Sequence, residues 1–539
     1  MKMTHPALVA LGAATLCASA LAAPLISSSH ELIYHLNGPA TGVFLIVAMN
    51  FAAAWLLFTG LFLLAHRSSR LRTAIWSLFL LIMPWVLLKA CVMITGWKMR
   101  HGMILGVQAA FLLALGVASL SWRPWLRSRF ESLLPFFSTV LAFLAFTSPL
   151  LAGQVAWSAW QARALNRPRP LHQQQTAAIA SPGMPAASQQ STRHRIIWLL
   201  LDELSYEQIY EHRYAGLKLD GFDRLAAQST LFTQAVAPAN ATAIVVPGVM
   251  TGTPIDQVKS SASGELRVHV AGTHGWQPFD PHNTVFQDAL DSGYSTSVAG
   301  WYNPYCRILA PVLDRCFWSS HSSFQVLPDV DENRPLVDLL LLPAQHFFSS
   351  MISALQGKTF SGRNASLAAE MHIADYRDLF AAADRLLSDS SANFTYLHMP
   401  VPHPGGIYNR QTSTFTTHGN SSYIDNLALA DQYVAHLRQV LEERGEWDSS
   451  AVIVMGDHSW RTALLWEASP AWTPEDQTAS HGGQFDDRPA YIVKLPGQHS
   501  PARVEERFAT LRTRALLDGV LKGQLKTPAE LAAWAAAQQ

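Results

Sequence analysis

The chain has 539 residues, enough for more than one domain, and is 49% hydrophobic but only 14% charged. An ordinary soluble protein is about 25% charged. Lys plus Arg number 39, as do Asp plus Glu, so overall charge gives no sign of a nucleic-acid partner.

The apolar excess sits at the start of the chain, over residues 1–160. Runs near 8–25, 42–65, 73–94, 104–121 and 134–155 each reach or approach the length a helix needs to cross a bilayer. Pro84 and Lys89 interrupt the third, where Lys89 is read as snorkelling or facing other helices. A buried bundle in a soluble protein is the competing reading, and several near-consecutive runs weigh against it. The loops "HRSSRLR" and "SWRPWLRSRFE" each hold three Arg. The loop "TGWKMRH" holds two basic residues, and "SSSHELIYHLNGPAT" holds no Lys or Arg. Arg-rich loops stay in the cytoplasm. This predicts a multi-pass protein of the inner (cytoplasmic) membrane, with everything after about residue 156 periplasmic or extracellular. The first run, "MKMTHPALVALGAATLCASALAAP", reads equally as a cleaved signal peptide or as the first of five anchors.

Residues 161–192, with "NRPRPLHQQQ" and "SPGMPAASQQS", keep no apolar period and read as a linker. From 193 to 539 strands and helices alternate. Strand-like runs fall at 195–201, 295–301, 393–399, 451–456 and 490–495, with amphipathic helices over 366–389 and 422–445. That alternation predicts an α/β fold, a mainly parallel sheet covered by helices on both faces, preceded by an all-α transmembrane bundle. Cys306 and Cys316 lie in the outer region, where an oxidising compartment lets them pair; Cys17 and Cys91 read as inert apolar fillers.

Ligands in such sheets sit beyond the carboxyl ends of the strands. There "IIWLLLDELS" ends in Asp202 and Glu203, "HMPVPHPGG" supplies His398 and His403, and "GDHSW" supplies Asp457 and His458. Asp and His after apolar strands suit a divalent metal. Each acid also has a plain reading as a helix cap, and His403 as a turn residue. Three such strand ends in one domain favour a site. Thr242 precedes a helix-like apolar stretch, where an oxyanion is stabilised, though an N-cap is the simpler reading of that residue alone.

"IIWLLLDELS", "FDRLAAQSTLFTQAVAPANATAIVVPGVMTG", "LHMPVPHPGG", "VIVMGDHSW" and "RPAYIVKLPGQ", in this order, resemble the sulfatase-like branch of the alkaline phosphatase superfamily. The resemblance covers about 195–500. Membrane spans ahead of such a domain resemble the bacterial phosphoethanolamine transferases and lipoteichoic acid synthases. The resemblance implies Thr242 as nucleophile, since it stands five residues before Pro247 as the transferases' Thr stands before a Pro. It implies metal binding by Asp202, Glu203, Thr242, Asp457 and His458, and substrate or second-metal contact by His403. His481, 23 residues past His458, is matched to the transferases' later His. The implied cofactor is a divalent ion: Zn, Mn, Mg or Ca. The implied partners are the membrane, a phospholipid donor, and an envelope glycan or lipid acceptor. The formylglycine motif C/S-x-P-x-R of sulfatases is absent here, as "TAIVV" carries neither its Pro nor its Arg. The expectation is therefore transfer or cleavage of phosphoethanolamine- or phosphoglycerol-type groups through a phospho-Thr intermediate. A phosphodiesterase or sulfuric ester hydrolase, or a non-catalytic envelope protein on the same fold, are the alternatives.

Other residues are expected to be structural. Asp431 falls on the apolar stripe of its helix and reads as a buried carboxylate bonded to backbone. Arg461 reads as solvated. Trp276, Trp301 and Trp318 read as core, and His269, His274 and His282 as loop surface.

Overall fold

Helices without a polar face can bury themselves only against one another or in lipid. The computed structural model describes residues 5–26, 40–95, 101–167, 169–174, 194–261, 263–319, 321, 336–356, 365–462, 472–484 and 486–537. Most of the expected linker, 175–192, lies outside the described residues. The chain divides into two compact units.

The first unit comprises residues 1–167, 260–264 and 324–364. Its helices are α1 (Pro6–Ile26), α2 (Ala40–Ala65), α3 (Ser69–Thr95), α4 (His101–Ser121), α5 (Pro124–Leu144) and α6 (Ser148–Ala162). Among the described residues four segments are long and apolar enough to cross a membrane: Gly42–Ala65, Ser69–Cys91, Gly102–Ser121 and Pro124–Leu165. The sequence predicted five. The described apolar part of α1, Pro6–Ser19, is shorter. Even so, α1 is the most enclosed of these helices. Val9, Ala10, Ala13 and Ala14 are buried, and a Cβ at Gly12 would lie 1.8 Å from the Leu141 carbonyl oxygen of α5. Phe79 packs edge to face on both Phe62 and Trp76, in one cluster with Val9, Ala10 and Ala13 of α1. Arg72 on α3 pairs with Glu131 on α5 at 3.0 Å, which puts the two Arg-rich turns on one side of the unit.

The second unit comprises 168–259, 265–323 and 365–539. It is built on an eight-stranded sheet: β1 (Ile196–Leu201), β2 (Thr230–Val236), β3 (Thr296–Trp301), β4 (Arg315–Ser319), β5 (Phe394–Met399), β6 (Ala451–Gly456), β7 (Tyr491–Lys494) and β8 (Ala502–Ala509). The strand order is β8-β2-β7-β6-β1-β5-β3-β4. Strands β6, β1, β5, β3 and β4 are parallel, and β7 runs antiparallel between β6 and β2. The sheet is thus mainly parallel. A strand buried on both faces reads as an unbroken apolar run, as "IIWLLL" does, all six residues being buried.

Against the sheet lie α7 (Asp220–Ala226), α8 (Thr242–Thr251), α10 (Ala365–Ser388) and α11 (Tyr423–Glu443); α9 (Leu336–Leu355) belongs to the helical unit. Asp431 on α11 accepts hydrogen bonds from the backbone N–H of Gly221 and Phe222 at 3.2 and 2.7 Å, the structural role expected of it. A disulfide joins Cys306 and Cys316, and Cys17 and Cys91 form no disulfide. The register positions the site. Leu201 of β1 stands opposite Gly456 of β6 and Met399 of β5. The three central strands therefore end level, and the segments beyond their ends converge: Asp202, Asp457 and the turn from Pro400 to His403.

Candidate active site

The left-handed backbone at Glu203, φ 61°, is unusual for a residue with a Cβ and marks a constrained position. Two hydrogen bonds hold it. Its N–H donates to Asp457 Oδ1 at 2.9 Å, and its carbonyl accepts from the Tyr423 hydroxyl at 2.7 Å. Tyr423 in turn accepts from the Ser205 N–H at 3.2 Å and stacks on Trp460 at 4.1 Å. The turn sends the two neighbouring carboxylates to different places.

Asp202 points inward. Its Oδ2 accepts from the Thr242 hydroxyl at 3.1 Å and lies 3.3 Å from His398 Nε2. His398 Nδ1 lies 2.7 Å from the Tyr305 hydroxyl. Burial pushes His398 down to about 4, so the ring is neutral at pH 7. Burial, then the neighbouring Asp457 and Glu203 charges, push Asp202 well above the usual carboxylate range. Burial works against the Asp457 charge too. The His458 ring, then the Glu203 N–H, outweigh it and hold Asp457 low.

Asp202, Asp457 and His458 are buried and offer ligand atoms all within 4.8 Å of one another. Asp202 Oδ1, Asp457 Oδ2 and His458 Nε2 have no hydrogen-bond partner. His458 Nδ1 is 3.0 Å from the Ser459 carbonyl, so Nδ1 is the donor there and Nε2 turns to Asp457 Oδ2, 3.1 Å away. Buried carboxylate and imidazole atoms without hydrogen-bond partners are costly unless positive charge is added among them. Two carboxylates and an imidazole are a suitable donor set for a divalent metal, so the residues fit the ion that the sequence implied.

Glu203 points the other way, and this corrects one expectation: Arg461 is buried rather than solvated. Its backbone N–H donates to Glu203 Oε2 at 3.1 Å and its Nε to Oε1 at 2.8 Å, and a third bond runs from Nη2 to Oε1. Arg461 Nη1 also reaches the Asn240 carbonyl at 3.2 Å, tying the Glu203 turn to the loop that leads to Thr242. His403 Nε2 lies 3.7 Å from Glu203 Oε1. Burial, then Arg461 and His372, hold His403 well below its ordinary value, and its Nδ1 is 2.8 Å from the Pro404 carbonyl. Asp202, Glu203 and His403 form a second group with metal-ligand spacing.

Thr242 opens α8. Ala241 provides no side-chain cap, and its carbonyl accepts from Ile244 and Val245. The first helical N–H groups therefore face the Thr242 hydroxyl's surroundings, a favourable place for an anion.

The structure thus brings Asp202, Glu203, Thr242, His403, Asp457 and His458 to one set of strand ends. It does not bring His481 there. That residue sits with Glu207 and His212, its ring 5.3 Å from that of His212. The 23-residue spacing carries it past the Asp457 loop into a separate turn with φ 51°. Trp301 and Trp318 are buried, but Trp301 also lies edge-on to His403 at 5.1 Å, so it is core and site wall at once. Trp276 is half-buried beneath Lys259, and His269, His274 and His282 lie at the surface or partly exposed, with His269 paired to Asp256. Arg461, Tyr423 and Trp301 escaped the sequence reading as site residues. For Arg461 one signal existed: it follows Asp457 on the loop after β6, and β6 neighbours β1.

Fold and site together define an α/β enzyme scaffold with a buried hydroxyl beside acidic and imidazole side chains that could hold a metal ion. A sulfatase family model matches residues 194–496, more than half of the chain, and the chain belongs to the sulfatase family. Among solved structures it is similar to the lipoteichoic acid synthase LtaP from Listeria monocytogenes, at 15% identity over 62% of this chain and 73% of that one, TM-score 0.35. It is similar to the phosphonate monoester hydrolase of Agrobacterium radiobacter, at 14% identity over 61% and 74%, TM-score 0.38. A third is the PsFucS1 sulfatase from Pseudoalteromonas sp., at 14% identity over 61% and 68%, TM-score 0.38. No curated protein matches the chain.

Proposed function

We propose that this protein is a membrane-embedded phosphotransferase whose nucleophile is Thr242. It would move a phosphoethanolamine- or phosphoglycerol-type group from a phospholipid donor to an envelope glycan or lipid acceptor. The observation that carries this reading is the Thr242 hydroxyl, 3.1 Å from Asp202 Oδ2, set at a helix start among three orphaned buried ligand atoms. The long apolar helices of the first unit support a setting in which a lipid donor is at hand.

Asp202, Asp457 and His458 would hold the divalent cation, with Thr242 Oγ1 beside them. A bound cation would lower the pKa of the Thr242 hydroxyl and offset phosphoryl charge. The protein's own residues do the rest. Asp202 Oδ2 receives the Thr242 proton along their hydrogen bond. Thr242 Oγ1 attacks phosphorus in line, the P–O bond to the donor's diacylglycerol oxygen breaks, that oxygen leaves as the alcohol after taking a proton from water, and phospho-Thr242 carrying the donor's head group forms. The first N–H groups of α8 bind the phosphoryl oxygens. His403, neutral and aimed past Glu203, presents a lone pair at the mouth. An acceptor hydroxyl then attacks phosphorus and gives its proton to water, the P–O bond to Thr242 breaks, and Asp202 Oδ2 returns its proton to Thr242 Oγ1. The final acceptor separates a transferase from a hydrolase. The missing C/S-x-P-x-R motif weighs against sulfate-ester cleavage through formylglycine.

Mass spectrometry of the full-length protein incubated with phosphatidylethanolamine or phosphatidylglycerol tests this directly. The expected result is a phospho-adduct on the peptide containing Thr242, absent in Thr242→Ala. Activity in that variant should fall at least about a thousand-fold, as for other lost nucleophiles, with the fold retained. Unchanged turnover by Thr242→Ala would overturn the proposal.

A further inference from the structure

Between β4 and α10 the chain leaves the sheet unit, and α9 (Leu336–Leu355) joins the helical unit. This 20-residue helix carries a single formal charge, Asp338. Its described side chains divide into two faces. Pro343 and Ala354 are buried, and Phe347 and Met351 pack with Ala354 against Trp85 and Leu88 of α3 and Ile104 and Val107 of α4. Val337, Leu341, Phe348 and Ile352 are 62, 50, 46 and 36% exposed. Their spacing of four, seven and four residues puts them on one side of a helix. A large apolar stripe of this kind is not left to water without cause.

Two observations show what covers it. The first is depth. Gln108 lies seven residues from the start of α4 at His101, and Leu88 seven residues from the end of α3 at Thr95. At 1.5 Å per residue both contacts fall about 10 Å inside the ends of helices that lie opposite the Arg-rich turns. The hydrocarbon core of a bilayer is about 30 Å thick, and interfacial helices sink about 5–10 Å into it. On α4, Leu105, Leu112 and Leu113 are exposed as well.

The second is the treatment of the last turn. Helix-end carbonyls have no partner within the helix and are ordinarily left to water. Here Gln108 Nε2 donates to the carbonyls of both Ala354 and Leu355 at 3.1 Å. An amide placed in an otherwise apolar spanning helix to satisfy another helix's end is what a water-free setting demands.

The geometry points to α9 as a helix seated in lipid, its Val337–Leu341–Phe348–Ile352 stripe against the acyl chains of the leaflet opposite the Arg-rich turns. This rests on the reading of α2–α6 as membrane-crossing. A segment within the stretch matched by the sulfatase family model thus supplies a membrane contact of its own, far along the chain from the N-terminal spans.

The test is spin-label accessibility on full-length protein in phosphatidylethanolamine/phosphatidylglycerol nanodiscs, in a Cys17→Ser, Cys91→Ser background. Labels go at Leu341→Cys, Phe348→Cys and Ile352→Cys, with Leu112→Cys on α4 and Glu506→Cys on β8 as references. The expected ratio of oxygen to nickel-chelate collisions on α9 is several-fold above that at Glu506→Cys and close to that at Leu112→Cys. If the α9 labels match Glu506→Cys while Leu112→Cys stays in lipid, the α9 proposal fails alone. If Leu112→Cys is also open to the chelate, the membrane-crossing reading fails with it. Shielding of α9 from both reagents would overturn the lipid assignment in favour of a second copy of the chain.

Discussion

Asp202 and Glu203 are adjacent, acidic and fully buried, yet the chain neutralises them by opposite means. Asp202 faces Thr242, His398, Asp457 and His458, a set with no permanently cationic side chain. Glu203 faces Arg461, which donates two hydrogen bonds from its guanidinium and one from its backbone N–H. One acid is left for a cation from outside, and the other is supplied with one from within. The difference marks Asp202, with Asp457 and His458, as the side without a cation of its own, while Glu203 already has one and still shares a ligand-spaced group with Asp202 and His403.

The largest expected effect of breaking this comparison is on metal content. Elemental analysis of purified Asp457→Asn should show the bound divalent ion lost, whereas Glu203→Gln should keep it. If Glu203→Gln empties the site as well, the two sides are one. Next in size is stability. Arg461→Met strands the Glu203 carboxylate and should cost about 3–5 kcal/mol, read as a fall in Tm. Adding Glu203→Gln should recover much of that, and no recovery would mean that Arg461 acts through Asn240 instead.

A third buried carboxylate calibrates the pair. Asp431 has backbone N–H partners but neither metal nor guanidinium, and burial raises it to about 6. From its unfolded value near 3.8 up to about 6 the folded chain holds more protons than the unfolded chain. Its contribution is therefore full below about 3.8 and is lost as pH rises through about 6, by up to about 3 kcal/mol. The Tm of the native protein relative to Asp431→Asn should accordingly fall between pH 4 and pH 7. A flat difference would mean that two N–H donors suffice to keep a buried carboxylate charged. The smallest effect belongs to Tyr423→Phe, which removes the bond to the Glu203 carbonyl but keeps the ring on Trp460. It should cost about 1 kcal/mol, seen as a small fall in Tm.

Much of the architecture was legible because it rests on apolar period. All five predicted strand runs correspond to strands of the sheet, and both amphipathic helices are present within a residue or two. Strands β2, β4 and β8 were not read. "TLFTQAV" and "ARVEERFA" mix polar and apolar residues at the sheet's far edge, and β4 is short and only partly buried. The ligand set was legible at the level of residue type, since acids and imidazoles come directly after apolar strands. Its partition was not. Which way Glu203 turns depends on one left-handed backbone angle and on Tyr423, 220 residues away. Neither leaves a mark in local composition. Arg461 failed for the same reason, as its burial depends on strand order. His481 was placed by family spacing alone and lies elsewhere. Helix α9 went unread because its apolar run falls within a stretch otherwise assigned to the outer domain.

The left-handed turn at Glu203 makes that position two separable traits, one in the backbone and one in the side chain. Glycine there would suit the angle and forfeit the grip on Arg461, while glutamine would keep the strain and lose the charge. A β-branched residue would fail on both counts. Of substitutions here, long, flexible, acceptor-bearing side chains should keep the contact with Arg461 best. A laboratory library that samples it should compare Gly with Gln first, because only that pair tells which trait the site depends on.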